Sequence, residues 1–266
     1  MKRGAPGNRR AAIMLHFDTY GAASATPPIL IAHGLFGSAR NWGAIAKRLA
    51  DTRRVIAPDM RNHGASPWQD AHDYPAMAGD LAALIEAEGG QADVVGHSMG
   101  GKAAMTLALT RPELVRRLVV ADIAPVGYGH SQAPLIAAMR GLDLSGVTRR
   151  GEADARLAET VPEPGVRAFL LQSLDLKADP PRWRLNLDVL EAGMDRIIGW
   201  PDPKGQFDAP ALFLAGAESD YLTREHRPAI KALFPQAHFS KLPGAGHWLH
   251  ADRPREFEAA LRAFLV

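Results

Sequence analysis

A chain of 266 residues with 47% hydrophobic and 23% charged side chains can bury a full core, and its lack of cysteine excludes disulfides, a thiolate nucleophile and a Cys-ligated metal. Lys and Arg (31) outnumber Asp and Glu (29) by only two, and no basic stripe interleaves with aromatics, so a nucleic-acid partner is not indicated. No apolar run approaches the roughly 18 residues that span a bilayer, which makes a cytoplasmic protein the default.

In chain order, "KRGAPGNRR" reads as a disordered, solvated leader, and the run "AAIML" after it is too short for the hydrophobic region of a secretory signal. Short apolar runs then recur, each ending in Gly, Pro or a polar residue. They are "PILIAHG" (28–34), "RRVIAPD" (53–59), "ADVVGHS" (92–98), "VRRLVVADIAP" (115–125), "APALFLAG" (209–216) and a shorter one over 238–242. Near-continuous, β-branched runs of this length predict strands buried on both faces of a mainly parallel sheet. Helical patterns fill 41–50, 74–90, 100–115 and 254–266, the third stopping near Arg111-Pro112, where proline cannot continue the ladder. Strands alternating with helices predict a layered α/β fold. From about 126 to 205 amphipathic helical segments replace the strand rhythm. The expected organisation is a core domain over 1–125 and 206–266, with a helical lid at 126–205 inserted between two strands.

The stretch "VVGHSMGGKA" carries the chemistry. Gly96-His97-Ser98-Met99-Gly100 is a G-x-S-x-G pattern between a predicted buried strand and a predicted helix, the setting of a nucleophile elbow. Glycines at i−2 and i+2 relieve contacts with the neighbouring strand and helix, and the turn exposes Ser98 as nucleophile. A serine needs a base. In the chain order nucleophile, acid, base, that residue is expected after the last strand, and "LPGAGHWLH" offers His247, with His250 as competitor at the start of the final helix. His33 reads instead as a buried structural histidine, and Asp59 as a turn former. The acid has two candidates, Asp122 in "LVVADIAPV" and Asp220 in "LFLAGAESDYL". Either could orient His247. The position three residues after Gly216, where hydrolases often keep this acid, is Ser219. For an oxyanion hole, the amide of Met99 and that of Leu35, with Phe36 as alternative, are the expected donors. Phe36, Met99, Trp183 and Trp248 are candidate substrate-binding residues, with the apolar faces of 134–142.

Taken together, "HGLFGSARNW", "APDMRNHGASP", "VVGHSMGGKAAM", "DIAPV", "WRLNLDVL" and "AGHWLHADRP" resemble the α/β-hydrolase fold, specifically the small YbfF-like esterases and their mitochondrial abhydrolase-domain relatives. The similarity runs from about residue 15 to the end. It implies a serine esterase or thioesterase acting on short- to medium-chain acyl groups, with Ser98 and His247 matching nucleophile and base. It also tilts the acid toward Asp122, the position after the strand that follows the elbow, although the presence of Asp220 departs from the pattern. The expected reaction is a two-step acyl transfer on a small-molecule ester or thioester, with no metal or organic cofactor. The rivals are a cofactor-free perhydrolase or haloperoxidase-type activity on the same triad, and a non-catalytic ligand-binding hydrolase-fold protein. A dehalogenase or epoxide hydrolase would need a carboxylate where Ser98 stands.

Overall fold

The predicted apolar runs become strands in the computed structural model, which describes residues 12–265; the basic leader lies outside the described residues. In chain order the strands are β1 (Phe17–Tyr20), β2 (Ile29–Ala32), β3 (Val55–Pro58), β4 (Ala92–His97), β5 (Val115–Ala121), a two-stranded hairpin of β6 (Leu174–Asp175) and β7 (Arg182–Trp183), then β8 (Ala211–Gly216) and β9 (Ala237–Leu242). Seven of them form one sheet in the order β1-β3-β2-β4-β5-β8-β9. All its neighbours pair in parallel except β1, which runs antiparallel to β3.

Strand side chains alternate between two apolar layers, as the period of two requires. Leu30, Ala32, Val94, Leu118, Val120 and Phe213 face one layer, with α2 (Tyr74–Ala87) and α3 (Met99–Thr110). Ile29, Ile31, Val95, Val119, Ala121 and Leu214 face the other, with α1 (Gly43–Leu49) and α11 (Pro254–Leu265). Both faces being covered is why each strand reads as a continuous apolar run. Helix α2 starts on Asp73, whose carboxylate accepts from the Ala76 amide at 3.0 Å. Helix α3 ends at Thr110, before Arg111-Pro112, as the proline dictates. In α11, Phe257, Leu261 and Leu265 recur at every fourth residue and are buried on one face.

Between β5 and β8 the chain runs through α4 (Ala133–Gly141), α5 (Arg150–Leu157), α6 (Pro164–Leu170), the β6–β7 hairpin, α7 (Leu187–Ala192) and α8 (Met194–Ile198); α9 (Arg227–Leu233) follows β8 and α10 (Leu249–Asp252) follows β9. Ile136, Leu157, Leu170 and Leu190 of these helices join the same buried cluster as α2 and α3. Two departures from the sequence reading stand out. The edge strand β1 was not predicted, because its residues are mostly half-buried and lack the continuous apolar signal. The segment from 182, expected to be helical throughout, begins as β7 and becomes helical only at Leu187; a two-residue ladder is too short to leave a period.

One buried ion pair anchors the loop after β3. Arg61 Nε and Nη2 donate to the two oxygens of Asp80 at 2.6 and 2.7 Å, and both side chains are almost wholly buried. Asp80→Asn leaves the guanidinium inside without its counter-charge. It is expected to cost about 3–5 kcal/mol in a urea unfolding experiment, and a loss within experimental error would show that the pair does not hold this loop.

Candidate active site

Parallel register brings the carboxyl ends of β2, β4, β5 and β8 to one edge: Ala32 pairs with Gly96, His97 with Ala121, and Ala121 with Leu214. The loops leaving these ends converge in the crevice where open α/β sheets place their ligands. Ser98 is the residue between β4 and α3, at φ 51 and ψ −118, a left-handed conformation that a non-glycine residue adopts only under constraint. A Cβ on Gly96 would come within 2.3 Å of the Gly100 carbonyl oxygen, and one on Gly100 within 2.4 Å of that of Ala32. Only glycine at both places lets the turn close this tightly.

The hydroxyl of Ser98 donates to His247 Nε2 at 3.1 Å, and His247 Nδ1 donates to Asp122 Oδ2 at 2.8 Å. Asp122 is fully buried and itself at φ 51. Its Oδ1 accepts the Gly216 amide at 3.0 Å, and its Oδ2 also accepts the Ser219 hydroxyl. Ser219, at the place where an acid was looked for, thus donates to the carboxylate of the next strand. Asp220 points elsewhere: it is exposed and has no hydrogen bond to His247. The His247 ring is stacked on Tyr221, centroids 3.8 Å apart, and its carbonyl accepts from His97 Nε2 at 2.8 Å. Neither Tyr221 nor His97 was singled out from sequence, since each touches His247 only through the fold.

His250 is half-buried against Trp42, rings stacked at 4.2 Å, and the loss of solvent around the ring, followed by the nearby His247, pushes its pKa down to about 3. His72 is likewise pushed down to about 3, by burial and then by Arg61. The sign of the pH effect follows. Below 6.5 the unfolded chain takes up protons at these rings while the folded chain does not until about 3, so stability is full above 6.5 and is lost as pH falls through that window. Each ring is expected to contribute a loss of about 1.4 kcal/mol per pH unit. Urea midpoints measured down that window should fall, and should fall less steeply in His250→Phe; parallel slopes would refute the assignment.

His33 is the structural histidine expected of it. Its Nδ1 donates to the Gly34 carbonyl at 2.8 Å and its Nε2 accepts the Met60 amide at 2.9 Å. The Gly34 carbonyl also accepts the Gly37 amide at 3.0 Å, which aims the opposite end of the same planar unit, the Leu35 N–H, away from both. That amide has no acceptor among the described residues. Met99, first residue of α3, carries one of the helix's orphan donors. The alternative donor, Phe36, is corrected by the structure: its amide is taken by His63 Nε2 at 3.2 Å. Asp59, buried, accepts the Ala39 and Ala65 amides at 2.8 Å each and organises the turns around it.

A cavity open to solvent surrounds Ser98. Leu35, Phe36, Met99 and Trp248 line it, together with Val166 and Phe169 of α6 and Leu135 of α4. Tyr74, Lys102, Tyr128 and Tyr221 form a more polar wall. Lys102, pushed down to about 7 by burial, donates to the carbonyls of Ile198 and Gly199 at 2.9 and 2.6 Å. Trp183 is a second correction: it does not reach the cavity, because its Nε1 donates to the Met139 carbonyl at 2.8 Å and its ring packs within the inserted segment. Met139 is buried beside it, so only Leu135 of the 134–142 face meets the cavity. Among the described residues no group of three or more His, Asp or Glu side chains is placed to hold a metal ion, and no helix is long and apolar enough to cross a membrane.

A model of the alpha/beta hydrolase family matches residues 29–260. The chain belongs to that family. This hydrolase is 41% identical over 261 residues to the mouse (Mus musculus) sn-1-specific diacylglycerol lipase ABHD11, covering 95% of this chain and 85% of that protein. It is 39% identical over 240 residues to Esterase YbfF of Escherichia coli (strain K12), covering 90% and 92% of the two chains. A solved structure described as a marine microorganism esterase superposes with a TM-score of 0.90 at 38% identity, over 95% of this chain and 100% of that one. Family and relatives make it a hydrolase of the esterase type.

Proposed function

We propose that this hydrolase cleaves carboxylic esters or thioesters of short- to medium-chain acyl groups through an acyl-enzyme on Ser98. The observation that carries the reading is the unbroken hydrogen-bond chain Ser98–His247–Asp122 at the rim of an apolar cavity. His247 Nε2 takes the Ser98 proton as Oγ attacks the carbonyl carbon, and buried Asp122 stabilises the imidazolium. The Leu35 and Met99 amides receive the developing oxyanion. The tetrahedral intermediate collapses as His247 hands its proton to the departing alcohol or thiol. Water then attacks the acyl-enzyme with His247 again as base, and the carboxylic acid leaves with Ser98 reprotonated.

The acyl chain lies along Leu35, Phe36, Val166, Phe169 and Trp248, the apolar side of the cavity. Segment 126–205 acts as a cap on the core domain of 1–125 and 206–266, since α4, α6 and α8 all contribute cavity wall and Phe169 meets Trp248 at 5.4 Å beside His247. A lipase and an esterase among the relatives support an ester as substrate. The test is a fluorophosphonate probe with a p-nitrophenyl ester series from acetate to palmitate. Labelling on the peptide bearing Ser98, and kcat/KM highest between acetate and octanoate, are expected. No labelling would overturn the nucleophile, and a maximum at palmitate would overturn the chain length.

A further inference from the structure

The backbone of Phe36 is held from both sides by groups that the reaction above does not use. Its amide donates to His63 Nε2 at 3.2 Å, and its carbonyl accepts the Ser173 hydroxyl at 2.9 Å. Phe36 sits at φ 65, where a bulky side chain is disfavoured and only outside contacts can hold it. His63 is fully buried and Ser173 nearly so. Nδ1 of His63 donates to the Arg61 carbonyl at 2.9 Å, which leaves Nε2 as the acceptor. Burial and the adjacent His33 and His72 rings keep the imidazole neutral, so this acceptor persists.

The two anchors are themselves tied together. The Gly64 amide donates to the Arg184 carbonyl at 2.8 Å, and the Arg184 amide to the Ser173 carbonyl at 2.8 Å. Asn186 adds two more bonds to Asn62, from its amide at 3.0 Å and from its side chain at 3.1 Å. A closed circuit therefore runs from Phe36 to His63, across the β7 end of the inserted segment, back through Ser173 and onto Phe36. It encloses the residue next to Leu35, whose amide faces the reacting carbonyl in the reading above.

We infer that His63 and Ser173 are positioning residues for the oxyanion loop, and that through Ser173 the geometry of the hole depends on how the inserted segment is seated. The inference rests on the Ser98 reading. It makes a specific kinetic demand. A hole donor acts on the transition state, so misplacing it lowers kcat and leaves KM nearly unchanged.

The experiment compares His63→Leu, which removes the acceptor, with His63→Gln, whose carbonyl can replace it, and with Ser173→Ala. Rates are expressed per active site counted by fluorophosphonate titration, so unfolded protein does not enter. His63→Leu is expected to lose about 10²-fold in kcat, the scale for one oxyanion donor. KM should stay within about threefold, and His63→Gln should recover at least about tenfold. A trifluoromethyl ketone, whose hemiketal oxyanion would occupy the hole, should weaken by the same factor as kcat/KM. Ser173→Ala should lose about tenfold in kcat at unchanged KM, and it carries the test alone if His63→Leu fails to fold. Unchanged kcat per site in either truncation, equal losses in His63→Leu and His63→Gln, or ketone affinity that does not follow kcat/KM would overturn the inference. Ser98→Ala, run in parallel, separates the failures. If it is inactive while the other variants are fully active, positioning alone falls; if it turns over, the Ser98 reading falls and the inference with it.

Discussion

Ser98→Ala is expected to lower kcat on p-nitrophenyl butyrate by about 10⁶-fold and to abolish fluorophosphonate labelling at the same time. The scale follows from cooperation. Without Oγ there is nothing for His247 to deprotonate and no acyl-enzyme to form, so only binding and the oxyanion donors remain. The fold should survive, because alanine fits wherever serine fits at φ 51 and the lost hydroxyl bonds only the partly exposed His247. Lys102 is a second potential nucleophile in the cavity, pushed down to about 7 by burial. Its Nζ is bound to two carbonyls of the α8 end and lies 4.7 Å over the Tyr128 ring, which orients it away from acyl transfer. Turnover remaining within about tenfold of the wild type would overturn the Ser98 mechanism.

Asp122→Asn is expected to lower kcat by about 10⁴-fold, whereas Asp220→Asn should change it less than about twofold. The asymmetry follows from which atoms the carboxylate serves. Oδ1 accepts the Gly216 amide, so an asparagine here keeps its oxygen on that side and turns its NH₂ toward His247 and Ser219. That NH₂ donates to Nδ1, the imidazole proton moves to Nε2, and the ring can no longer accept the Ser98 proton. Asp220 is exposed and makes no bond to the ring, so its charge acts only through solvent. Circular dichroism is the control that Asp122→Asn is folded. A comparable loss in Asp220→Asn, or none in Asp122→Asn, would assign the acid elsewhere.

The order of the buried strands and the helices between them, the tight turn around Ser98 and the position of His247 after the last strand were legible in the sequence. These signals are local: apolar runs, glycines two residues either side of a serine, a proline that stops a helix. The edge strand β1 and the β6–β7 hairpin were not legible, because a half-buried strand and a two-residue ladder leave no periodic trace. Trp183 illustrates a second limit. A tryptophan in an inserted segment suits a pocket wall or an interior packing role equally, and its indole N–H bond to Met139 is a contact between residues 44 apart.

By itself, the sequence determined the layered α/β class and the tight strand-to-helix turn at Ser98, since each depends on residues close together along the chain. Only the tertiary structure brings Asp122, and not Asp220, within hydrogen-bond reach of His247, although the two leave adjacent parallel strands. It likewise distinguishes the Leu35 and Phe36 amides, because the acceptor that occupies Phe36 is His63, brought in from the loop after a different strand. Direction and long-range pairing are set by packing, and packing is not written in any local window of the chain.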